Sequence, residues 1–429
     1  MTPLLARVQV ALFGASPAAI RIVPALVSAA SVVLGAVIAR NLGGRRRGQI
    51  LAAGVIAGAG FVLATGHLLS TATFDFTFWL AGLVVAMRML RTDDPRNWLG
   101  YGVVAGLALW NKHLIVLLTL AILASLTIER RWKLVATPWL VIGGLVTMLI
   151  AAPTVIWQAA NGWPQVEMAQ AIAQRIGGEN RILLLPLQLV MLGPLLVPLG
   201  WAGVTWLTRP HQRNLRPLLW AYVAALVLTL VTGGRPYYPL PLAAVLVIAG
   251  VVATEDRWPR LAPTLVISAL IAIPLALPVL PVTVAARSPL AAANETLVEQ
   301  LGWIELTETV ADVVEDLAAS GNGHAVLLTG SYGEAGALDL YGPSHGLPEV
   351  YSGHNSYWHW RRPSQDGATV VAVRMRQEFL EDRFDRCDRA ATLDNRLGID
   401  NEAQGQPVWV CRGLKGTWEQ LWPEFRHYN

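Results

Sequence analysis

Acidic residues are scarce over the first two thirds of this chain. Up to residue 286 there are 8 Asp/Glu against 21 Lys/Arg, a net charge of +13. From 287 onward there are 12 Lys/Arg against 21 Asp/Glu, net −9, and the two parts sum to the overall +4. Charged residues of either sign make up only 14% of the 429 residues, while 54% are hydrophobic. A water-soluble domain cannot bury that much apolar side chain, whereas a bilayer accepts it. Other things are missing too. There is no HExxH or His/Cys spacing for a metal and no GxSxG elbow for a nucleophile. No basic stripe with interleaved aromatics occurs, so nucleic-acid binding is excluded. Neither a metal nor another cofactor is expected.

The long apolar runs predict about ten spanning helices, near 17–40, 48–68, 74–91, 97–110, 113–128, 134–156, 184–208, 217–232, 237–254 and 261–284. Arginine clusters occupy every second gap: Arg40 with Arg45–Arg47, Arg88/Arg91/Arg96, Arg130/Arg131/Lys133, Arg209/Arg213/Arg216 and Arg257/Arg260. Basic loops face the cytoplasm. That puts both ends of the chain, and the unusual polar groups of the remaining gaps, on the opposite side. A chain that starts outside needs an inward leader or an earlier helix. The expectation is therefore that a first helix and outer loop are missing before Met1; the alternative is translocation of a short N-terminal tail.

The fold class expected is a polytopic α-helical membrane domain over 1–286, followed by an extracytoplasmic α/β domain over 287–429. In the latter, helical periodicity covers 294–320 and 376–384, and strand-like runs cover 325–329, 370–373 and 408–411. Gly330–Gly336 follows a strand and precedes a helix. It lacks GxGxxG spacing and a Walker lysine, so it reads as a tight turn rather than a nucleotide loop. Both cysteines, Cys387 and Cys411, fall in this domain. An oxidising compartment predicts that they are joined, and the alternative is two buried thiols.

Five residues stand out as candidates for chemistry. Asp75 is a carboxylate at membrane depth, where a charge is costly and usually faces a polar cavity. Lys112 is a cation on the outer side, against the basic-inside trend, and a bound anion would explain it; the alternative is snorkelling to the interface. Gly233-Gly-Arg-Pro-Tyr-Tyr-Pro-Leu-Pro241 fixes an irregular outer turn. In it Arg235 offers a planar fork suited to phosphate, and Tyr237 and Tyr238 can bond oxygens or stack on a sugar. The alternative there is an interfacial aromatic belt. Tyr351–Trp360 is rich in aromatics and imidazoles and could stack on sugar.

These residues carry a resemblance. Leu12-Phe-Gly-Ala-Ser-Pro-Ala-Ala-Ile-Arg21-Ile-Val-Pro24 resembles the end of the first outer loop and the start of the second helix in GT-C glycosyltransferases. The similarity is to the group of protein O-mannosyltransferases and lipid A-modifying aminoarabinose transferases. Thr2-Pro-Leu4 matches the end of that group's Pro-Pro-Leu, Asp75 its aspartate at the head of an outer helix, and Lys112 its lysine after a Gly-rich helix. Arg235–Pro241 matches its Arg-x-Tyr-Tyr-x-x-Pro. The resemblance implies a polyprenyl-phosphate-linked sugar donor, a hexose or pentose, and transfer to an extracytoplasmic acceptor: protein, lipid or cell-wall glycan. It implies a plasma-membrane location. It also implies a general base in a first outer loop that precedes this sequence, leaving Asp75 as the catalytic candidate and Lys112, Arg235, Tyr237 and Tyr238 for the donor phosphate. The alternatives are a non-catalytic glycolipid-binding scaffold or a truncated inactive enzyme. A secondary transporter would show inverted repeats, and none is apparent.

Overall fold

The computed structural model describes residues 2–14, 16–286, 288, 295–321 and 325–428. The chain divides into two compact units, Met1–Leu277 and Pro278–Asn429. The boundary expected at 286/287 falls on Arg287, outside the described residues.

Unit 1 is helical. In order, its helices are α1 (Thr2–Phe13), α2 (Pro17–Asn41), α3 (Arg46–Ala57), α4 (Gly60–Gly66), α5 (Thr71–Thr92), α6 (Asn97–Leu109) and α7 (Ile115–Ile128). Then come α8 (Trp132–Val135), α9 (Pro138–Ala160), α10 (Pro164–Leu192), α11 (Val197–Leu207), α12 (Pro217–Thr232), α13 (Leu240–Ala253) and α14 (Trp258–Ala276). Among the described residues four helices can cross a bilayer by length and composition, or six if each of two bent pairs is one span. The run 48–68 is one such pair: α3 and α4 meet at 59°. The run 184–208 is not a straight span. Its first part belongs to the 29-residue α10, which also absorbs the polar stretch from 164 to 181, and the chain turns by 89° at Gly193–Pro194. Gly193 has φ +120, a backbone conformation open to glycine. Four further apolar helices, α6, α7, α12 and α13, have 13 to 16 residues. At 1.5 Å per residue they are shorter than a hydrocarbon core of about 30 Å, so the count of ten does not follow from length.

The helices meet at glycines. α13 is apolar all round and every residue from Leu240 to Val251 is buried, as a central helix requires. A Cβ on Gly203 of α11 would collide with the Leu246 carbonyl of α13, and one on Gly250 of α13 with the Leu199 carbonyl of α11. Gly102 of α6 and Gly143 of α9 repeat this contact, each against backbone of the other helix. Small residues let backbones touch where lipid offers no hydrophobic driving force. Gly58, at the end of α3, similarly faces Ala269 of α14 at 2.9 Å from an added Cβ.

Several of the few acids are used at the arginine-rich ends. Glu255 Oε2 accepts the backbone N–H groups of Arg45 (3.0 Å) and Gly48 (3.1 Å), capping α3 from 207 residues away. Asp93 pairs with Arg131 (2.9 Å) and Lys133 (3.2 Å). Glu129 faces Arg216 at 3.5 Å and accepts the Trp220 indole N–H at 2.9 Å.

Unit 2 is a five-stranded sheet in the order β2-β1-β3-β5-β4, with β1 (Ala325–Thr329), β2 (Val350–Ser352), β3 (Thr369–Val373), β4 (Phe384–Thr392) and β5 (Pro407–Leu414). β1 pairs in parallel with β2 and β3, and β5 is antiparallel to β3 and β4. The Trp303–Ala319 helix packs Leu306, Val310, Val313 and Leu317 on one face, and the Trp418–Phe425 helix packs three aromatics on the other. Gly330–Gly336 turns directly from β1 into the Tyr332–Tyr341 helix, with Ser331 capping it through the Gly333 N–H. The helix expected over 376–384 is only Gln377–Glu381, and Phe384 opens the nine-residue β4 instead. β4 is a largely exposed edge strand without apolar alternation, so only its pairing with β5 reveals it. Within that pairing Cys387 lies opposite Cys411, and the two form a disulfide with Cα atoms 4.1 Å apart. The aromatic segment is largely engaged within the unit. Tyr351 donates to Glu349 (2.7 Å), Tyr357 to Asp339 (2.7 Å) and Trp358 to the Trp422 carbonyl (2.9 Å). Burial, and then the Asp339 carboxylate, push the Tyr357 hydroxyl well above its usual range.

Replacing both cysteines by serine should destabilise unit 2 by about 3 kcal/mol, given the 24-residue separation. Pulse proteolysis of the full-length protein in urea measures this, and an unchanged midpoint would show that the bridge adds nothing.

Candidate functional site

Asp75 sits near the start of α5 and is only 4% exposed. Its Oδ1 and the indole nitrogen of Trp79, one helical turn along, are both buried; the indole lies close enough to act on the carboxylate, without a well-formed hydrogen bond, and neither atom has another partner among the described residues. Asp75 also has no ion pair within 4 Å among them, unlike Asp93, Glu129 and Glu255. The turn that leads into α5 is fixed by Thr73, whose hydroxyl donates to the carbonyls of Thr65 (2.7 Å) and Leu68 (3.1 Å).

Lys112 lies on the short connection from α6 to α7. That connection is pinned on two sides. Asn111 Nδ2 donates to the Thr71 carbonyl of α5 (2.8 Å), and Trp110 Nε1 to the Ile150 carbonyl of α9 (2.8 Å). The pins aim the half-buried Lys112 side chain across to the α12–α13 connection. Its ammonium donates to the Tyr237 hydroxyl at 2.9 Å and stands 5.2 and 5.0 Å from the ring centroids of Tyr237 and Tyr238. A cation over two tyrosine faces is held by the ring quadrupoles as well as by the hydrogen bond. Lys112 is also within electrostatic reach of Asp75.

Two glycines make the α12–α13 turn. Gly233 has φ +65 and closes α12, the left-handed C-terminal position that favours glycine. Gly234 lies beneath the Tyr238 ring, where an added Cβ would come within 2.8 Å of two ring carbons. The turn sets Tyr237 and Tyr238 edge to face at 5.0 Å, and Phe61 of α4 stacks on Tyr237 at 5.4 Å. Phe61 also packs on Phe76, the neighbour of Asp75, at 5.5 Å. Arg235 is exposed, and its guanidinium has no side-chain partner among the described residues. Its charge and that of Asp75 both act on the two tyrosine hydroxyls.

The five candidates of unit 1 thus come from three separate elements into one cluster. Direct contacts join Lys112 with both tyrosines, and Asp75 and Arg235 lie within electrostatic range. Phe61, Trp79, Asn180 and Arg181 belong to its surroundings and carried no sequence signal, since each is an ordinary residue of a helix. Asn180 donates to the Gly233 carbonyl, and Arg181 to those of Leu230 and Val231. An apolar cavity of about 250 Å³ lies between α6, α7 and α9, with Tyr101, Ala105, Leu109, Ile115 and Gly143 among its walls. Leu109 and Ile115 flank the connection that carries Lys112. Among the described residues no group of three or more His, Cys, Asp or Glu is placed to hold a metal ion.

Chemically, the cluster offers two cations, two hydroxyl donors and one buried carboxylate. Comparisons with known proteins give it a context. The family profile of dolichyl-phosphate-mannose-protein mannosyltransferases matches residues 1–157. No curated protein sequence matches the chain. Among solved structures, ArnT from Cupriavidus metallidurans bound to undecaprenyl phosphate is similar with a TM-score of 0.56 at 16% identity, over 96% of this chain and 87% of that one. The same protein in the apo state gives 0.56 at 14% identity, over 96% and 86%. The likeness covers nearly all of this chain, helical unit and sheet unit alike, so the fold is that of ArnT. The profile match covers a little over a third of the chain, and at these identities the likeness to ArnT is one of fold.

Gly234→Ala should displace the Tyr238 ring and lower thermal stability by about 1–3 kcal/mol, the usual cost of overpacking. Gly144→Ala, at a position where an added Cβ meets nothing within 4 Å, should leave the melting temperature close to that of the parent. Equal melting shifts for the two variants would contradict the packing described for the turn.

Proposed function

We propose that this protein is a multi-pass membrane glycosyltransferase that moves a sugar from a polyprenyl-phosphate-linked donor to an extracytoplasmic acceptor. The observation that carries the reading is the convergence of Lys112, Arg235, Tyr237, Tyr238 and Asp75 from α5 and two distant connections. No local helix geometry forces these residues together, and two cations beside two phenols suit a phosphate monoester or diester.

In this reading an acceptor hydroxyl attacks the anomeric carbon of the donor sugar. The bond from that carbon to the phosphate oxygen breaks, and the lipid phosphate leaves with the electron pair. Lys112 and Arg235 neutralise the charge that grows on the departing phosphate, the point at which fixed charges speed a reaction most. Tyr237, already bonded to Lys112, and Tyr238 orient it. Asp75 orients the acceptor hydroxyl or takes its proton. The apolar cavity of α6, α7 and α9 begins beside the Lys112 connection, so a polyprenyl tail could remain in hydrocarbon while its phosphate reaches the cluster. The ArnT structure was obtained with undecaprenyl phosphate, which supports the same lipid class here. The short helices α6, α7, α12 and α13 then complete a set of about ten spans, and unit 2 lies outside the cytoplasm.

Two measurements test this reading. With undecaprenyl phosphate as probe and the full-length protein in nanodiscs, Lys112→Ala and Arg235→Ala should each weaken binding about tenfold to a hundredfold, as expected for loss of a charge-assisted hydrogen bond. Asp75→Asn should reduce turnover more than binding. Unaltered binding in both cation variants would refute the phosphate site, and binding without any transfer would favour a glycolipid-binding scaffold. For orientation, a reporter fused after residue 429 should read as extracytoplasmic; a cytoplasmic signal would overturn the outer site as well.

A further inference from the structure

The turn that carries Arg235, Tyr237 and Tyr238 is held in place by α10, a helix that contributes no member of the cluster. The buried residues of α10 include Gly177, Asn180, Leu184, Gln188 and Leu192, a stripe at three- and four-residue spacing along one face. Polar contacts along that face fasten α10 to α12 and the following turn. The Tyr222 hydroxyl of α12 donates to Gln188 Oε1 at 3.1 Å. Arg181 donates to the carbonyls of Leu230 (3.0 Å) and Val231 (3.4 Å) in the last turn of α12. Asn180, 7% exposed, donates from Nδ2 to the Gly233 carbonyl at 3.0 Å across 53 residues of sequence.

The Gly233 contact matters because of what surrounds it. Gly233 and Gly234 are adjacent, and glycine has the most conformational freedom to lose. Only backbone bonds back into α12 hold the pair from its own side: Gly233 N–H to Leu230 at 3.4 Å and to Thr229, and Gly234 N–H to Thr229 at 3.1 Å. Rotation about this pair would swing Arg235, Tyr237 and Tyr238 together, away from Lys112 and Asp75. Asn180 grips the first carbonyl after α12, at the pivot itself. At Gly177 the α10 backbone comes against the same spot: an added Cβ on Gly233 would lie 3.2 Å from the Gly177 Cα.

We infer that Asn180 is a positioning residue for the phosphate-binding turn, acting through the Gly233 carbonyl to set where Arg235 and the two tyrosines stand. Its role rests on the donor reading given above, and the test separates the two. Undecaprenyl phosphate binding is measured on the full-length protein for Asn180→Asp, Arg235→Ala, Lys112→Ala and the Asn180→Asp/Arg235→Ala double variant. Asn180→Asp keeps the side-chain shape but sets a carboxylate oxygen against the carbonyl. It should weaken binding about tenfold, the order expected when a buried hydrogen bond is broken. Because it acts partly through Arg235, the double variant should lose less than the product of the two single losses. Losses that multiply would show a general packing role and overturn the inference. If both cation variants bind like the parent, the donor reading fails and the inference falls with it. If they weaken binding while Asn180→Asp does not, the inference alone fails. Should Asn180→Asp not be recovered folded, Arg181→Gln decides. Arg181 holds the last turn of α12 beside the same pivot; its loss should weaken binding about threefold, and parental affinity would show that α10 does not position the turn, which overturns the inference.

Discussion

Backbone contact between helices is the constraint on which this membrane unit depends. Inside a bilayer neither solvent nor hydrophobic pressure pulls helices together, so contact at close range must do so. Gly203 and Gly250 seat α11 on α13, and Gly102 and Gly143 seat α6 on α9, with no room at any of the four for a single added carbon. With α13 wrapped on every side and α6 fixed against α9, the ends of these helices are fixed as well. The connection after α6 and the turn before α13 are the two that carry Lys112 and the tyrosines. Helix packing thus determines where the site forms before any polar contact is counted.

The polar contacts then divide into two kinds. At the arginine-rich ends, Glu255, Asp93 and Glu129 are satisfied by nearby cations and backbone donors, and their task ends with holding helices. At Asp75 the pattern is reversed. A buried carboxylate has no ion pair within 4 Å among the described residues, and its Oδ1 and the neighbouring Trp79 indole form no well-aligned hydrogen bond. Incomplete partners around a buried carboxylate call for an explanation, and a substrate that completes them is the one proposed above. Lys112 lies between the two cases: it is partnered, but by a phenol and two ring faces, which an incoming anion could replace without stranding another charge.

Unit 2 shows how far a local reading reaches in a mixed sheet. β1 and β3 are continuous apolar runs, buried on both faces, and were legible within a residue. β4 was not. Phe-Asp-Arg-Cys-Asp-Arg has no alternation that a buried face would impose, because an edge strand has little face to bury. Its partner β5, 24 residues on between the bridged cysteines, makes it a strand. In unit 1 the corresponding failure is at Gly193–Pro194, where an apolar run that reads as one span turns by 89°. Hydropathy counts apolar residues and is blind to the direction of the axis.

The amino-acid sequence by itself determined the solvent of each part, through the lack of charge before 286 and the acidic excess after it. It also determined the basic face of the loops and the identities of Asp75, Lys112, Arg235, Tyr237 and Tyr238 as residues out of place in their surroundings. These are properties of composition and of neighbours along the chain, and they need no third dimension. Only the tertiary structure decided that Lys112 meets Tyr237, 125 residues away, and that Phe61 stacks on Tyr237. It alone decided that Asn180 and Arg181 of α10 hold the turn. Such contacts are set by the angles at which rigid helices cross, and those angles come from glycine-to-backbone contacts between distant segments, which leave no trace in any local stretch of sequence.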